Sequence, residues 1–180
     1  RTHVRQPILR IGWIGTALNL PQLSILRRPL TELHRRHPLV VRLISALHEE
    51  LIPPLSGMPV ELVPWTLQTY AAAMLECDIM VLPVPINAWT ITKSPNRLQL
   101  AWTLGIPAVF SPLPAYMEMT ASFPALRFVA TNEEEWLARL EHLVDPDLRN
   151  NIGRQARAAV DECHTLESRL PLWANALGIA

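Results

Sequence analysis

Asp78-Ile79-Met80-Val81-Leu82-Pro83-Val84, then Ser94-Pro95-Asn96-Arg97-Leu98, then Gly105-Ile106-Pro107-Ala108-Val109, is the run on which the fold turns. Residues 79–84 are nearly all apolar and read as a strand buried on both faces. A loop over 85–94 follows, and Ser94-Pro95 opens a helix over 95–104 that stops at Gly105. Ile106-Pro107-Ala108-Val109 leads into a second buried strand over 107–111. The loop and helix start bring free backbone N–H groups, a positive helix end, Lys93 and Arg97 to one small volume, which is a way to hold a diphosphate.

The same alternation extends in both directions. Leu9-Arg10-Ile11-Gly12-Trp13-Ile14-Gly15 reads as a strand ending in Gly15-Thr16, and Leu18 to His37 has helical spacing. Strands are expected over 40–45, 60–65 and 127–130. Thr66 is placed to cap a helix over 67–76, Asn132 one that begins Glu133-Glu134-Glu135-Trp136, and Asp145-Pro146 one reaching about Glu162. Strands alternating with helices, the strands apolar and unpatterned, predict an α/β fold with a parallel sheet covered on both sides. We read residues 1–165 as one domain and 166–180 as a partly helical tail with an apolar stripe. In such folds ligands sit at the carboxyl ends of the strands, so Gly15-Thr16, Pro64-Trp65 and the 85–97 loop are expected to share one crevice.

Composition excludes several classes. Of 180 residues, 49% are hydrophobic and 18% charged, enough for a core and too apolar for a disordered chain. Lys+Arg and Asp+Glu both number 16, so no net field draws nucleic acid or an anionic membrane. No apolar run approaches the roughly 20 residues of a membrane span. Cys77 and Cys163 lie far apart and read as buried or half-buried thiols in a reducing, cytoplasmic setting. Beginning at Arg1, the chain is read as a piece of something longer.

Motifs for other chemistries are missing. Gly15-Thr16 is no GxGxxG fingerprint, and no Walker sequence is present, so NAD, FAD and P-loop chemistry are not expected. His34 and His37 read as a solvated helix face, while His3, His48, His142 and His164 are isolated, so no metal site is expected. Ser56-Gly57 and Ser111-Pro112 lack the setting of a hydrolase nucleophile. Trp13, Trp102 and Trp136 fall on core faces. Trp89 is the tryptophan expected at the surface, with or without a ligand against it. Trp65 either stacks on a base or packs a strand end. Asn96 is a turn residue or a ligand contact, and Lys93 and Arg97 are solvated charges or an anion grip. A cation at a helix N-terminus is unfavourable unless an anion is near, which favours the grip.

Taken in order, Ile11-Gly12-Trp13-Ile14-Gly15-Thr16, Val63-Pro64-Trp65, Cys77 to Pro83, Trp89, Lys93, Arg97-Leu98, Gly105 to Val109, Glu134-Glu135-Trp136 and Leu148 to Arg157 resemble the C-terminal, nucleotide-sugar-binding half of group 1 glycosyltransferases of GT-B architecture. The resemblance covers roughly residues 8–165. It implies a single Rossmann-like three-layer domain and a donor such as a UDP- or GDP-sugar, with no other cofactor. Lys93 and Arg97 are its implied diphosphate contacts, Gly15 and Thr16 would face the same phosphates, and Val63 to Trp65 would lie beside the base. Glu118 matches a family acid and is read as structural.

Two departures accompany the likeness. The family's glutamates, eight positions apart, fall here on Thr92 and Leu100, so a sugar contact is left to a hydroxyl and the ribose contact to none. A lost charge-assisted hydrogen bond costs about 1.5–3 kcal/mol, roughly ten- to hundredfold in affinity. The acceptor-binding N-terminal domain is also not in this chain, and the catalytic residues proper are expected on it or on a partner chain. The expected function is donor binding within a glycosyltransferase, incomplete alone; the alternative is a degenerate GT-B domain kept as a binding or scaffolding module.

Overall fold

The computed structural model describes residues 2–46, 55 and 57–179. Five strands form one all-parallel sheet: β1 (Leu9–Ile14), β2 (Leu39–Ser45), β3 (Val60–Pro64), β4 (Ile79–Leu82) and β5 (Ala108–Phe110), in the order β3-β2-β1-β4-β5. Every residue of β2, β4 and β5 is buried, as expected of strands covered on both faces. The chain leaves β1 toward β2 and β3, then returns to β4 and β5. Right-handed crossovers therefore put helices on opposite faces, and the order reverses between β1 and β4.

Helices α1 (Arg27–Arg36) and α5 (Glu133–His142) pack together, and α3 (Asn96–Thr103) packs on α6 (Pro146–Cys163). Helices α2 (Tyr70–Leu75), α4 (Pro114–Met119) and α7 (Leu166–Leu177) complete the set. Trp13, Trp102 and Trp136 are at most 1% exposed and fill the core as expected. Asn132 caps α5 by accepting from the Glu135 N–H at 2.9 Å, and Asp145 caps α6 through Asp147 at 2.9 Å.

Some elements differ from expectation. The 18–37 segment is a 3₁₀ helix over Ala17–Leu26 followed by α1, because Pro21 lies inside it and removes an N–H donor. Residues 127–130 form only one bridge, Phe110 to Val129. The Thr66 hydroxyl accepts from the Thr69 N–H at 3.1 Å, closing a turn, and regular helix begins only at Tyr70. Helix α4, short and opened by Pro114, was not foreseen.

The imidazoles are better partnered than expected. His37 meets Glu141 at 2.7 Å, and His34 Nδ1 takes the Leu39 N–H at 3.4 Å, so neither is a free solvated group. His3 is buried, donating through Nε2 to the Gly105 carbonyl at 3.2 Å. Asn150 grips its backbone twice, at 2.6 Å each. His142 stacks on Phe128, and Ser111 accepts the Val84 N–H at 2.9 Å. His48 and Ser56 lie outside the described residues.

The contact of α3 with α6 is close enough to need glycine. A Cβ on Gly153 would overlap the carbonyl oxygen of Gly105, itself in the left-handed region at φ +68°. Backbone cannot swing aside as a side chain can. Gly153→Ala is therefore expected to destabilise by about 1–3 kcal/mol of overpacking, less the fraction of a kcal/mol that alanine returns as helix propensity. Urea denaturation reads it out, and a stabilised variant would refute the close contact.

Candidate functional site

The reversal point between β1 and β4 is where a ligand crevice belongs in a parallel sheet. A cleft of about 370 Å³ lies there, lined by Gly15, Thr16, Asn19, Lys93, Ser94, Asn96 and Arg97. Gly15, Thr16 and Asn19 follow β1; the others follow β4 and open α3. Sheet topology thus brings together residues nearly eighty positions apart.

Helix α3 starts bare. Its first turn holds no acid, and its N-cap, Pro95, has no side chain able to take the orphan N–H groups. Lys93 and Arg97 stand at this positive end, and neither joins an ion pair among the described residues. Burial and then the neighbouring Arg97 charge lower the Lys93 pKa from its ordinary value. Lys93 Nζ reaches Asn19 Oδ1 at 3.4 Å, and Arg97 Nη1 reaches the Ile14 carbonyl at 3.5 Å. Arg97 also faces the buried Tyr116 hydroxyl, whose pKa burial raises and Arg97 partly pulls back.

Asn19 is the residue sequence reasoning missed. It donates to Thr16 Oγ1 at 2.9 Å and receives from Gln22 at 2.8 Å, which fixes the loop after β1. Its position shortly after the Gly-Thr strand end was the available signal. The helical spacing of residues 18–37 drew the reading away from it.

A second cavity of about 450 Å³ adjoins the first through Gly15 and Thr16 and is lined mostly by apolar groups: Ile14, Ala17, Leu18, Ala46 and Trp65. Trp65 is 44% exposed and stacks on Tyr70, with ring centroids 6.1 Å apart. It is thus half free for a flat partner and half engaged in packing.

Three expected residues stand apart from both cavities. Pro64 is exposed and pairs with Ser45 in the sheet. Trp89 is 81% exposed on the loop after β4. Thr92 is exposed and spends its hydroxyl on the Trp89 carbonyl at 3.0 Å. Leu100 packs against the core. Among the described residues no group of three or more His, Cys, Asp or Glu is placed to hold a metal ion. No helix among them is long and apolar enough to cross a membrane.

No family model and no curated protein matches the chain. Solved structures do. WaaG, a glycosyltransferase involved in lipopolysaccharide biosynthesis, matches with a TM-score of 0.66 at 16% identity, over 97% of this chain and 48% of that one. TarM matches with a TM-score of 0.70 at 13% identity, over 96% and 35%. An E. coli trehalose-6-phosphate structure bound with UDP-2-fluoro glucose matches with a TM-score of 0.66 at 9% identity, over 97% and 45%. The chain spans half or less of the length of each of these three. Its five-stranded parallel sheet with helices on both faces is thus the fold of one Rossmann-like half of the GT-B glycosyltransferases.

Proposed function

We propose that this domain binds the nucleotide-sugar donor of a glycosyltransferase, through the diphosphate, in the cleft between β1 and β4. The observation that carries the reading is the pair Lys93 and Arg97, in no ion pair with any other described residue, at the uncapped start of α3. An isolated pair of cations there is disfavoured by the helix dipole and by mutual repulsion; a bound anion reverses both terms. The adjoining apolar cavity with Trp65 suits a base. A bound UDP-sugar in one fold neighbour is consistent with this.

The chemistry such a cleft performs is electrostatic. As the bond from sugar to diphosphate breaks, charge builds on the leaving phosphate, and Lys93, Arg97 and the α3 N–H groups are already oriented toward it. The groups that act on the acceptor belong, on this proposal, to an N-terminal domain or a partner chain. The thiols Cys77 and Cys163 suit a reducing, cytoplasmic location.

A second reading, a binding or scaffolding module without transfer activity, draws on Thr92 and Leu100. One hydroxyl is turned onto Trp89 and the other position is apolar and core-facing, so neither serves a sugar or a ribose. Titration with UDP, GDP and ADP, followed by amide chemical shifts, tests the donor site. Shifts are expected at Gly15, Trp65 and Lys93; silence at millimolar concentrations of all three nucleotides would leave only the second reading.

A further inference from the structure

Asn19 lies on the β1 side of the cation cleft and Lys93 on the β4 side, 74 positions further along the chain. Lys93 Nζ is 3.4 Å from Asn19 Oδ1. An ammonium has only protons to give, so the amide atom that faces it is the oxygen. The rest of the amide follows: Nδ2 donates to Thr16 Oγ1 at 2.9 Å, and Oδ1 also receives from Gln22 Nε2 at 2.8 Å. The Asn19 N–H adds a further tie, to the Thr16 carbonyl at 2.9 Å. Asn19 is thus held by its own loop and in turn holds a group from another element.

The kind of partner matters. Both cations of the cleft reach across it to neutral oxygens on the β1 side, Lys93 to the Asn19 amide and Arg97 to the Ile14 carbonyl at 3.5 Å. A carboxylate at either place would form an ion pair and cancel charge that a diphosphate needs. A neutral oxygen orients without cancelling.

The 3.4 Å separation is also long beside a charge-assisted hydrogen bond, which closes to about 2.7–2.9 Å. A phosphate oxygen can therefore take the ammonium over at little cost. The tether still narrows the places that the four-carbon stem visits beforehand. Lysine loses more rotamer freedom on being fixed than most side chains, so a tether present before binding reduces what the ligand has to order.

We propose that Asn19 is a positioning residue for the diphosphate: its amide oxygen holds Lys93 in the cleft, still charged, until a phosphate takes it over. The inference rests on the donor-binding reading and deepens it, with a residue of the opposite loop that acts through Lys93.

The probes are UDP, inorganic pyrophosphate and uridine, titrated by calorimetry against the wild type, Asn19→Ala, Lys93→Ala and the double variant. Asn19→Ala is expected to weaken UDP and pyrophosphate by the same factor, about three- to tenfold. Uridine should bind as before, which shows the fold intact. With Lys93 already alanine, Asn19→Ala should cost less than about twofold, because nothing remains to be held.

Asn19→Asp is close in size and keeps the acceptor for Gln22, but sets a carboxylate opposite the ammonium. Diphosphate affinity should fall about ten- to hundredfold. Burial and Arg97, the other charged residue lining the cleft, lower the Lys93 pKa in the wild type. The new carboxylate raises it, so the alkaline loss of the remaining affinity should begin at higher pH than in the wild type.

If UDP and pyrophosphate bind but Asn19→Ala changes neither, or costs as much without Lys93 as with it, the positioning role is refuted and the donor cleft stands. A parallel loss of uridine binding, or an unmoved alkaline limit in Asn19→Asp, refutes it as well. If neither UDP nor pyrophosphate binds the wild type at millimolar concentration, the donor reading falls and the positioning role with it.

Discussion

Asp78→Ala is expected to remove about 3 kcal/mol of stability, the low end of the 3–5 kcal/mol that breaking a buried ion pair costs, and to lower Tm by roughly 10 °C. Asp78 sits at the amino end of β4, and its side chain is 0% exposed. One carboxylate oxygen accepts the Arg10 N–H at 2.9 Å. The other lies 3.7 Å from Arg149 Nη2 and 3.8 Å from His3 Nδ1. Removing the carboxylate strips a buried guanidinium of its counter-charge and orphans a strand N–H. Arg149 keeps the Leu143 and Val144 carbonyls at 2.8 and 2.6 Å, which is why the low end applies. Asp78→Asn retains the acceptor for Arg10 and should cost less. Urea and thermal denaturation of the three proteins test the ordering; a loss below about 1 kcal/mol for Asp78→Ala would show that the network does not hold the fold.

Arg97→Ala is expected to weaken UDP binding about ten- to hundredfold, the worth of a charge-assisted hydrogen bond of roughly 1.5–3 kcal/mol. Binding of uridine should stay nearly unchanged, because Arg97 lines the cation cleft and not the apolar cavity beside it. The same variant carries a pH signature. A diphosphate needs Lys93 charged, so affinity is full below the Lys93 pKa and is lost as pH rises through it. Burial and Arg97 hold that pKa below the ordinary lysine value, so the loss should begin earlier than for an exposed lysine. Removing Arg97 relieves one of those causes, and the alkaline decline of the variant should move to higher pH. Equal losses for UDP and uridine would mean that Arg97 acts only on structure, through Ile14 and Tyr116.

Much of the architecture was legible locally. Continuous apolar runs such as Ile79 to Leu82 announce strands buried on both faces, and caps such as Asn132 and Asp145 announce where helices begin. Both signals act within a few residues, so a linear reading can find them. The half of the cleft next to α3 was legible for the same reason: Lys93, Asn96 and Arg97 lie within five positions of one another. Its other half, after β1, was placed only by the rule that ligands gather at strand ends, and Asn19 was lost under a helical pattern that Pro21 breaks into a 3₁₀ helix.

Local chain chemistry suffices for the alternation of buried strands and capped helices, hence the parallel sheet, and for the two cations at a helix start. Which distant residues meet is a matter of packing across the whole fold. The crossing order of the strands sets Asn19 beside Lys93 and parts Trp89 and Thr92 from the cleft they flank in sequence. Packing buries His3 against Gly105 and Asn150, across 102 and 147 positions. It also gathers Glu118, Cys163 and Arg169 around one cavity. The physical reason is range: propensity and periodicity act over a turn or two of chain, whereas sites are made by contacts whose partners are set only once the core has closed.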